Sequence, residues 1–93
     1  MEFEWDQAKD AANLEKHGFS FLRATAVFDD PLCIVEDSTR PEHGEQRQRA
    51  IGLVDRAVIA IIFTDRGQRR RIISARRARR DERARYDRGA AAG

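Results

Sequence analysis

Apolar and polar positions change period along the chain, and each change marks a new kind of element. Phe3-Glu4-Trp5 alternates, which predicts a short edge strand or an anchoring extended segment. Asp6 then has the chemistry of a helix N-cap, because its carboxylate can accept from free backbone N–H groups. Residues 7–17 contain no proline or glycine and set Ala8, Ala11, Ala12 and Leu14 over part of a helix surface. Gly18 ends that helix as a left-handed cap, with Lys16 and His17 in the last turn, where cations meet the negative end of the dipole. Ser20 opens a second helix in which Phe21, Ala24, Val27 and Phe28 recur at helical spacing, and Asp29-Asp30-Pro31 stops it.

Beyond Pro31 the pattern turns to strands. Leu32 to Val35 is a short apolar run, and residues 37–46 hold the turn formers and charges of an exposed loop. Arg47 to Val54 predicts a weaker strand, with Asp55-Arg56 in the turn that follows. Ala57 to Thr64 is continuously apolar and predicts a central, buried strand. Asp65 to Gln68 forms a hairpin loop and residues 69–76 the return strand. A regular return strand puts Arg71, Ile73 and Ala75 on one face and Arg70, Ile72, Ser74 and Arg76 on the other. A third helix is expected from about Arg77 to Tyr86 with almost no apolar stripe, followed by a disordered tail over residues 89–93. The expected architecture is a single α+β domain over residues 1–88: two N-terminal helices, an antiparallel sheet of about four strands and a C-terminal helix.

Composition narrows the function classes. A chain of 93 residues has room for one small domain. The single cysteine, Cys33, excludes an internal disulfide and points to a reducing compartment. It falls in an apolar strand and reads as a core residue. With only His17 and His43 beside it, a dedicated zinc site is not expected, nor is any other cofactor. No apolar run reaches the roughly 18 residues of a membrane span, and the acidic N-terminus is unlike a secretion signal, so a cytoplasmic location is expected. The net charge of +2 conceals an asymmetry: residues 1–65 hold seven basic and 13 acidic residues, whereas residues 66–93 hold 11 arginines and three acids. An arginine-dense end beside an acidic body suggests a polyanion, an acidic protein partner, or both; a solvated basic helix is the plain alternative.

Several segments carry a likeness. Phe3-Glu4-Trp5-Asp6 with Lys9 and Asn13 leads into Lys16-His17-Gly18-Phe19-Ser20-Phe21, then Val27-Phe28-Asp29-Asp30 and Glu45-Gln46-Arg47. Ile51-Gly52, Phe63-Thr64-Asp65-Arg66 and Ile72-Ile73-Ser74-Ala75-Arg76-Arg77-Ala78 complete the series. In order and spacing the chain resembles the BrnT family of bacterial type II toxins over about residues 3–87. The resemblance implies a RelE-like ribonuclease fold, an endoribonuclease that halts translation, and a neighbouring BrnA antitoxin as partner. Asp55-Arg56, where relatives often carry glycine, and the run Arg69-Arg70-Arg71 depart from the family pattern.

RNA cleavage without a metal requires a proton taken from the ribose 2′-hydroxyl, stabilisation of a phosphorane-like transition state, and a proton given to the leaving 5′-oxygen. Arginine suits the second task, since its planar fork gives two hydrogen bonds to phosphate oxygens and stays charged. Preorganised donors of this kind contribute roughly 3–4 kcal/mol each. Arg76 and Arg71, on or at the end of a strand, are the first candidates; they share a site only if a twist or bulge near Ser74 re-aims one of them. Arg66, Arg79 and Arg80 are further candidates for RNA contact. His17 could transfer protons, since imidazole titrates nearest neutrality, or could merely cap its helix. Glu45 could act as a base or orient Arg47 as an ion pair, the latter being favoured. Lys9 and Lys16 lie about two turns apart on one side of a helix and could neutralise phosphate. Tyr86 could stack on a base, whereas Trp5 reads as core. His43 reads as exposed loop. The same basic residues would also serve a binding module without catalysis, so turnover separates the two readings. Self-association, or a complex with the antitoxin, stays open.

Overall fold

The computed structural model describes residues 1–92. Strand β1 (Glu2–Glu4) leads into helix α1 (Gln7–His17), whose first turn is capped by Asp6 accepting from the Ala8 and Lys9 N–H groups. Gly18 ends it in the left-handed region (φ 82°). Ser20 accepts from the Arg23 N–H to start α2 (Phe21–Ala24). The second helix is therefore shorter than its apolar spacing predicts. After one turn it tightens into a 3₁₀ segment, Thr25–Asp29, which still carries Val27 and Phe28 inward. Strands β2 (Ile34–Asp37), β3 (Gln48–Val54), β4 (Ala57–Arg66) and β5 (Arg69–Arg77) follow, and α3 (Arg80–Ala92) closes the chain.

The sheet has five strands rather than four, in the order β1-β5-β4-β3-β2. Strands β2 to β5 are antiparallel neighbours, and β1 joins the edge of β5 in parallel, Glu2 opposite Arg69 and Glu4 opposite Arg71. The sheet is thus mixed. This edge also accounts for the unusual arginine run. Arg69 reaches Glu2 (3.5 Å) and Glu4 (3.7 Å), and Arg70 pairs with Asp65 (2.8 Å) while its guanidinium lies over the Phe28 and Phe63 rings. Beyond β1 the β5 edge is covered by Asn13, whose Oδ1 accepts from the Ala75 N–H (3.2 Å) and whose Nδ2 donates to the Phe19 carbonyl (3.3 Å). An unpaired backbone donor at a buried edge is thereby satisfied.

Helices α1 and α2 and the 3₁₀ segment cover one face. Phe21, Ala24 and Val27 meet Ile59, Ile61, Phe63, Ile72 and Ala75 there, with Trp5 and Phe28 packed at the margin. Alternation along β4 sends Val58 and Ala60 to the opposite face, where they join Ile51 and Tyr86 beneath α3. Helix α3 starts at Arg80, three residues later than expected, and continues through Ala92. The stretch from Gly89 is therefore helical and not a disordered tail; Gly93 lies outside the described residues. The run Ala90 to Ala92 favours the extension, since alanine is the strongest helix former, and it outweighs the cost of Gly89 within the helix. Tyr86, expected to be available for stacking, is instead buried (6% exposed) and donates to Asp30 Oδ2 (2.6 Å). It belongs to the core, and burial together with that bond raises its pKa to about 12.

Candidate active-site groove

Helix α3 covers only part of its face of the sheet. Beside its N-terminus the sheet stays open, and the ten-residue connection between β2 and β3, residues 38–47, folds back to form the opposite wall. The base of that connection is closed by Ser38 N–H to the Arg47 carbonyl (2.8 Å) and by Arg47 N–H to Thr39 Oγ1 (3.0 Å). The result is a groove of about 210 Å³ with Ile62, Ile73 and Ser74 among its lining residues and with Arg40, Arg47, Arg49, Arg76, Arg79, His43 and Ser38 around them. Five arginines line it and no acidic residue does, so it presents positive charge in a concave, partly desolvated space.

A β-bulge re-aims the strand that carries Arg76. Ile62 pairs with Ser74 but Phe63 pairs with Ile72, leaving Ile73 as an extra residue on β5. Ile73 and Ser74 both turn toward the groove, and the alternation resumes with Ala75 in the core and Arg76 in the groove. The bulge therefore puts Arg71 and Arg76 on the same face of the sheet. They do not share the groove: Arg71 sits five residues away, roughly 15 Å along the strand, with its guanidinium 3.9 Å from Glu4.

Behind the lining lies a buried carboxylate. Glu82, 1% exposed, accepts from Arg76 through both oxygens (2.6 and 2.9 Å) and from the Arg79 N–H (2.8 Å). Arg49 Nε is 3.3 Å from the same carboxylate but outside hydrogen-bond geometry, and it is a buried donor without a partner. Burial pushes the Glu82 carboxyl up, but the Arg76 fork, the Arg79 amide and the Arg49 charge outweigh it and hold the pKa at about 2. Glu36 extends the network, accepting from Arg49 (2.9 Å) and from Arg85 (2.7 and 3.0 Å). Its carboxyl is held below the usual range mainly by Arg85, against the cost of burial and with help from Arg49.

Of the residues singled out from sequence, Arg76 and Arg79 line the groove. Glu45 stands next to it as an ion-pair partner, accepting from Arg47 (3.2 and 3.3 Å) and from Arg66 (3.4 Å). Burial opposes its charge, but Arg66 and Arg47 prevail and lower its pKa. Arg66 itself is mostly exposed beyond the rim, and Arg80 is exposed at the start of α3. His17, Lys9 and Lys16 ride on α1, which packs with α2 against the far face of the sheet, so none of them reaches the groove. His43, Arg40, Arg47, Arg49 and Ser38 enter the groove without having been singled out as site residues. Arg47 and Arg49 carried a usable signal, since residues two apart on a strand share a face. Arg40 and His43 did not, because only the fold of their loop brings them there.

Among the described residues, no three His, Cys, Asp or Glu side chains are grouped as metal ligands, and no helix is long and apolar enough to cross a membrane. A family model described as "Ribonuclease toxin, BrnT, of type II toxin-antitoxin system" matches residues 5–82 of the 93-residue chain. No curated protein matches it.

Proposed function

The chain belongs to the BrnT family of type II ribonuclease toxins, and from that premise we propose that the arginine-lined groove is its RNA-cleaving site. The carrying observation is the gathering of five arginine residues around one concave surface, with a buried carboxylate behind Arg76. In this reading an RNA strand lies along the groove with its scissile phosphate against Arg76 and Arg79. The 2′-hydroxyl oxygen bonds to phosphorus and gives up its proton. The bond from phosphorus to the 5′-oxygen breaks, and that oxygen takes up a proton. The products carry a 2′,3′-cyclic phosphate and a 5′-hydroxyl.

Negative charge grows on the non-bridging oxygens as phosphorus becomes five-coordinate, and the arginines are the groups that stabilise it. In this proposal guanidinium groups supply the charge stabilisation and no metal takes part. His43 moves one of the two protons, water the other. His17 lies across the sheet and takes no part in the transfer. Glu45 serves as a pairing residue for Arg47 and not as the base. Arg66 and Arg80, outside the lining, extend the cationic track for flanking phosphates.

The fold is read as RelE-like, with α1 and α2 on one face of the sheet and the site beside α3 on the other. A type II toxin implies an antitoxin; a BrnA-like protein in the cytoplasm would silence the enzyme by covering the same basic surface, and cleavage of messenger RNA would block translation. The test is incubation of the purified protein with RNA in excess chelator. Cyclic-phosphate ends are the expected product. Intact RNA beside folded, antitoxin-free protein, or fragments with 3′-hydroxyl ends, would overturn the reading. Tight, salt-dependent RNA binding without turnover would make the groove a binding surface only.

A further inference from the structure

A fully buried carboxylate in a helix with no apolar stripe needs a reason. Glu82 occupies the third helical position of α3, and its Oε1 accepts from the N–H of Arg79 just before the helix, as half of a capping box does. The same oxygen accepts from Arg76 Nη1 and the other from Nη2, a bidentate arrangement that fixes the plane of the guanidinium. Arg76 belongs to β5, Arg79 to the connection and Arg49 to β3. One carboxylate therefore touches three arginine residues from three elements, all of which line the groove. A carboxylate needed only to cap α3 could do so from an exposed side chain, without reaching Arg76.

We infer that Glu82 is the positioning residue of the groove, fixing the Arg76 guanidinium and, through the Arg79 N–H it accepts from, the backbone that carries the Arg79 side chain; this rests on the ribonuclease reading above. Glu82 itself does not touch RNA. Its charge reduces the attraction of the groove for phosphate while its geometry raises the rate, so the two effects separate on substitution. A misplacement of about 1 Å in such a site costs on the order of a hundredfold in rate. Loss of one negative charge next to Arg76 strengthens the attraction for RNA.

The experiment compares wild type, Glu82→Gln, Glu82→Asp and, as a control for looser packing under α3, Val58→Ala. Each is checked for folding by near-ultraviolet circular dichroism. Cleavage of single-stranded RNA and binding of 2′-O-methyl RNA are measured across a salt series. Glu82→Gln is expected to cleave ten- to a hundredfold more slowly yet bind more tightly, with a salt slope steeper by about 0.7. Glu82→Asp keeps the charge but withdraws it by one methylene. It is expected to cleave about tenfold more slowly with binding and salt slope unchanged, and it decides the matter if Glu82→Gln does not fold. Val58→Ala is expected to keep both rate and affinity per folded molecule. Wild-type cleavage by the glutamate variants overturns the inference, as does slower cleavage accompanied by weaker binding. If the wild type itself leaves RNA intact, the ribonuclease reading falls, and the binding arm still decides whether Glu82 governs the groove: an unchanged affinity and salt slope in Glu82→Gln overturns it.

Discussion

Acid should weaken this fold through Glu82, and the amount can be worked out. In the unfolded chain the carboxyl titrates at the ordinary value of 4.5; in the folded protein burial raises it but Arg76, Arg79 and Arg49 bring it to about 2. At roughly 1.4 kcal/mol per tenfold change, that depression corresponds to about 3 kcal/mol of stability. Because the folded pKa is the lower one, the contribution is complete above the unfolded value and is lost as pH falls from there toward about 2. A small domain has only about 5–15 kcal/mol in total, so the effect is measurable. Urea unfolding followed through Trp5, which packs edge-on to Phe21, supplies the assay. At pH 7 Glu82→Gln should be less stable than wild type, and the gap should narrow by about 3 kcal/mol as pH is lowered from 5 toward 2. The other depressed carboxyls, Glu36 and Asp30 among them, are present in both proteins and cancel. A gap that stays constant with pH would refute the claim that the buried charge of Glu82 is what the arginines stabilise.

Three further outcomes follow from the geometry. Glu45→Gln should lower the cleavage rate by less than tenfold, since its carboxylate is occupied by Arg47 and Arg66; a loss of the 10²–10⁴-fold typical of a missing general base would return it to that role. His43→Ala should cost roughly 10²-fold in rate while His17→Ala, across the sheet, changes the rate less than twofold and stability by only about 0.3–1 kcal/mol; the reverse order in a cleavage assay would contradict both placements. Gly52→Ala would bring a methyl to 3.1 Å from the Val27 carbonyl oxygen and 3.4 Å from Asp30 Oδ2. It should lower stability by roughly 1–3 kcal/mol in urea unfolding with the rate per folded molecule unchanged.

Local chemistry made much of the fold legible. Asp6, Gly18 and Ser20 act as the caps their side chains and flexibility suggest, and the continuous apolar run of β4 lies at the centre of the sheet. The fifth strand was harder to read: Glu2–Glu4 is only three residues long, and its partner β5 is more than 60 residues away. The bulge at Ile73 leaves no local mark, because isoleucine and serine fit a regular strand equally well. Helix α3 lacks an apolar stripe because Glu82 and Tyr86 are its two buried residues. A hydropathy pattern cannot register a glutamate neutralised by Arg76 from another element, nor a tyrosine whose hydroxyl ends on Asp30. The charge asymmetry pointed to the late arginines and so found Arg76 and Arg79. It drew attention away from Arg40, Arg47 and Arg49, which stand in the acidic part of the chain and meet the others only in three dimensions.

The central claim is that guanidinium groups gathered in one groove stabilise the charge that grows on phosphorus. Single-turnover cleavage of RNA in excess chelator, comparing Arg76→Ala with Arg88→Ala on the exposed outer side of α3, tests it most directly. A loss of roughly 3–4 kcal/mol of transition-state stabilisation predicts a drop of about 10²–10³-fold for Arg76→Ala. Arg88→Ala should stay within twofold of wild type. Equal rates for the two variants, with both proteins folded, would contradict the account.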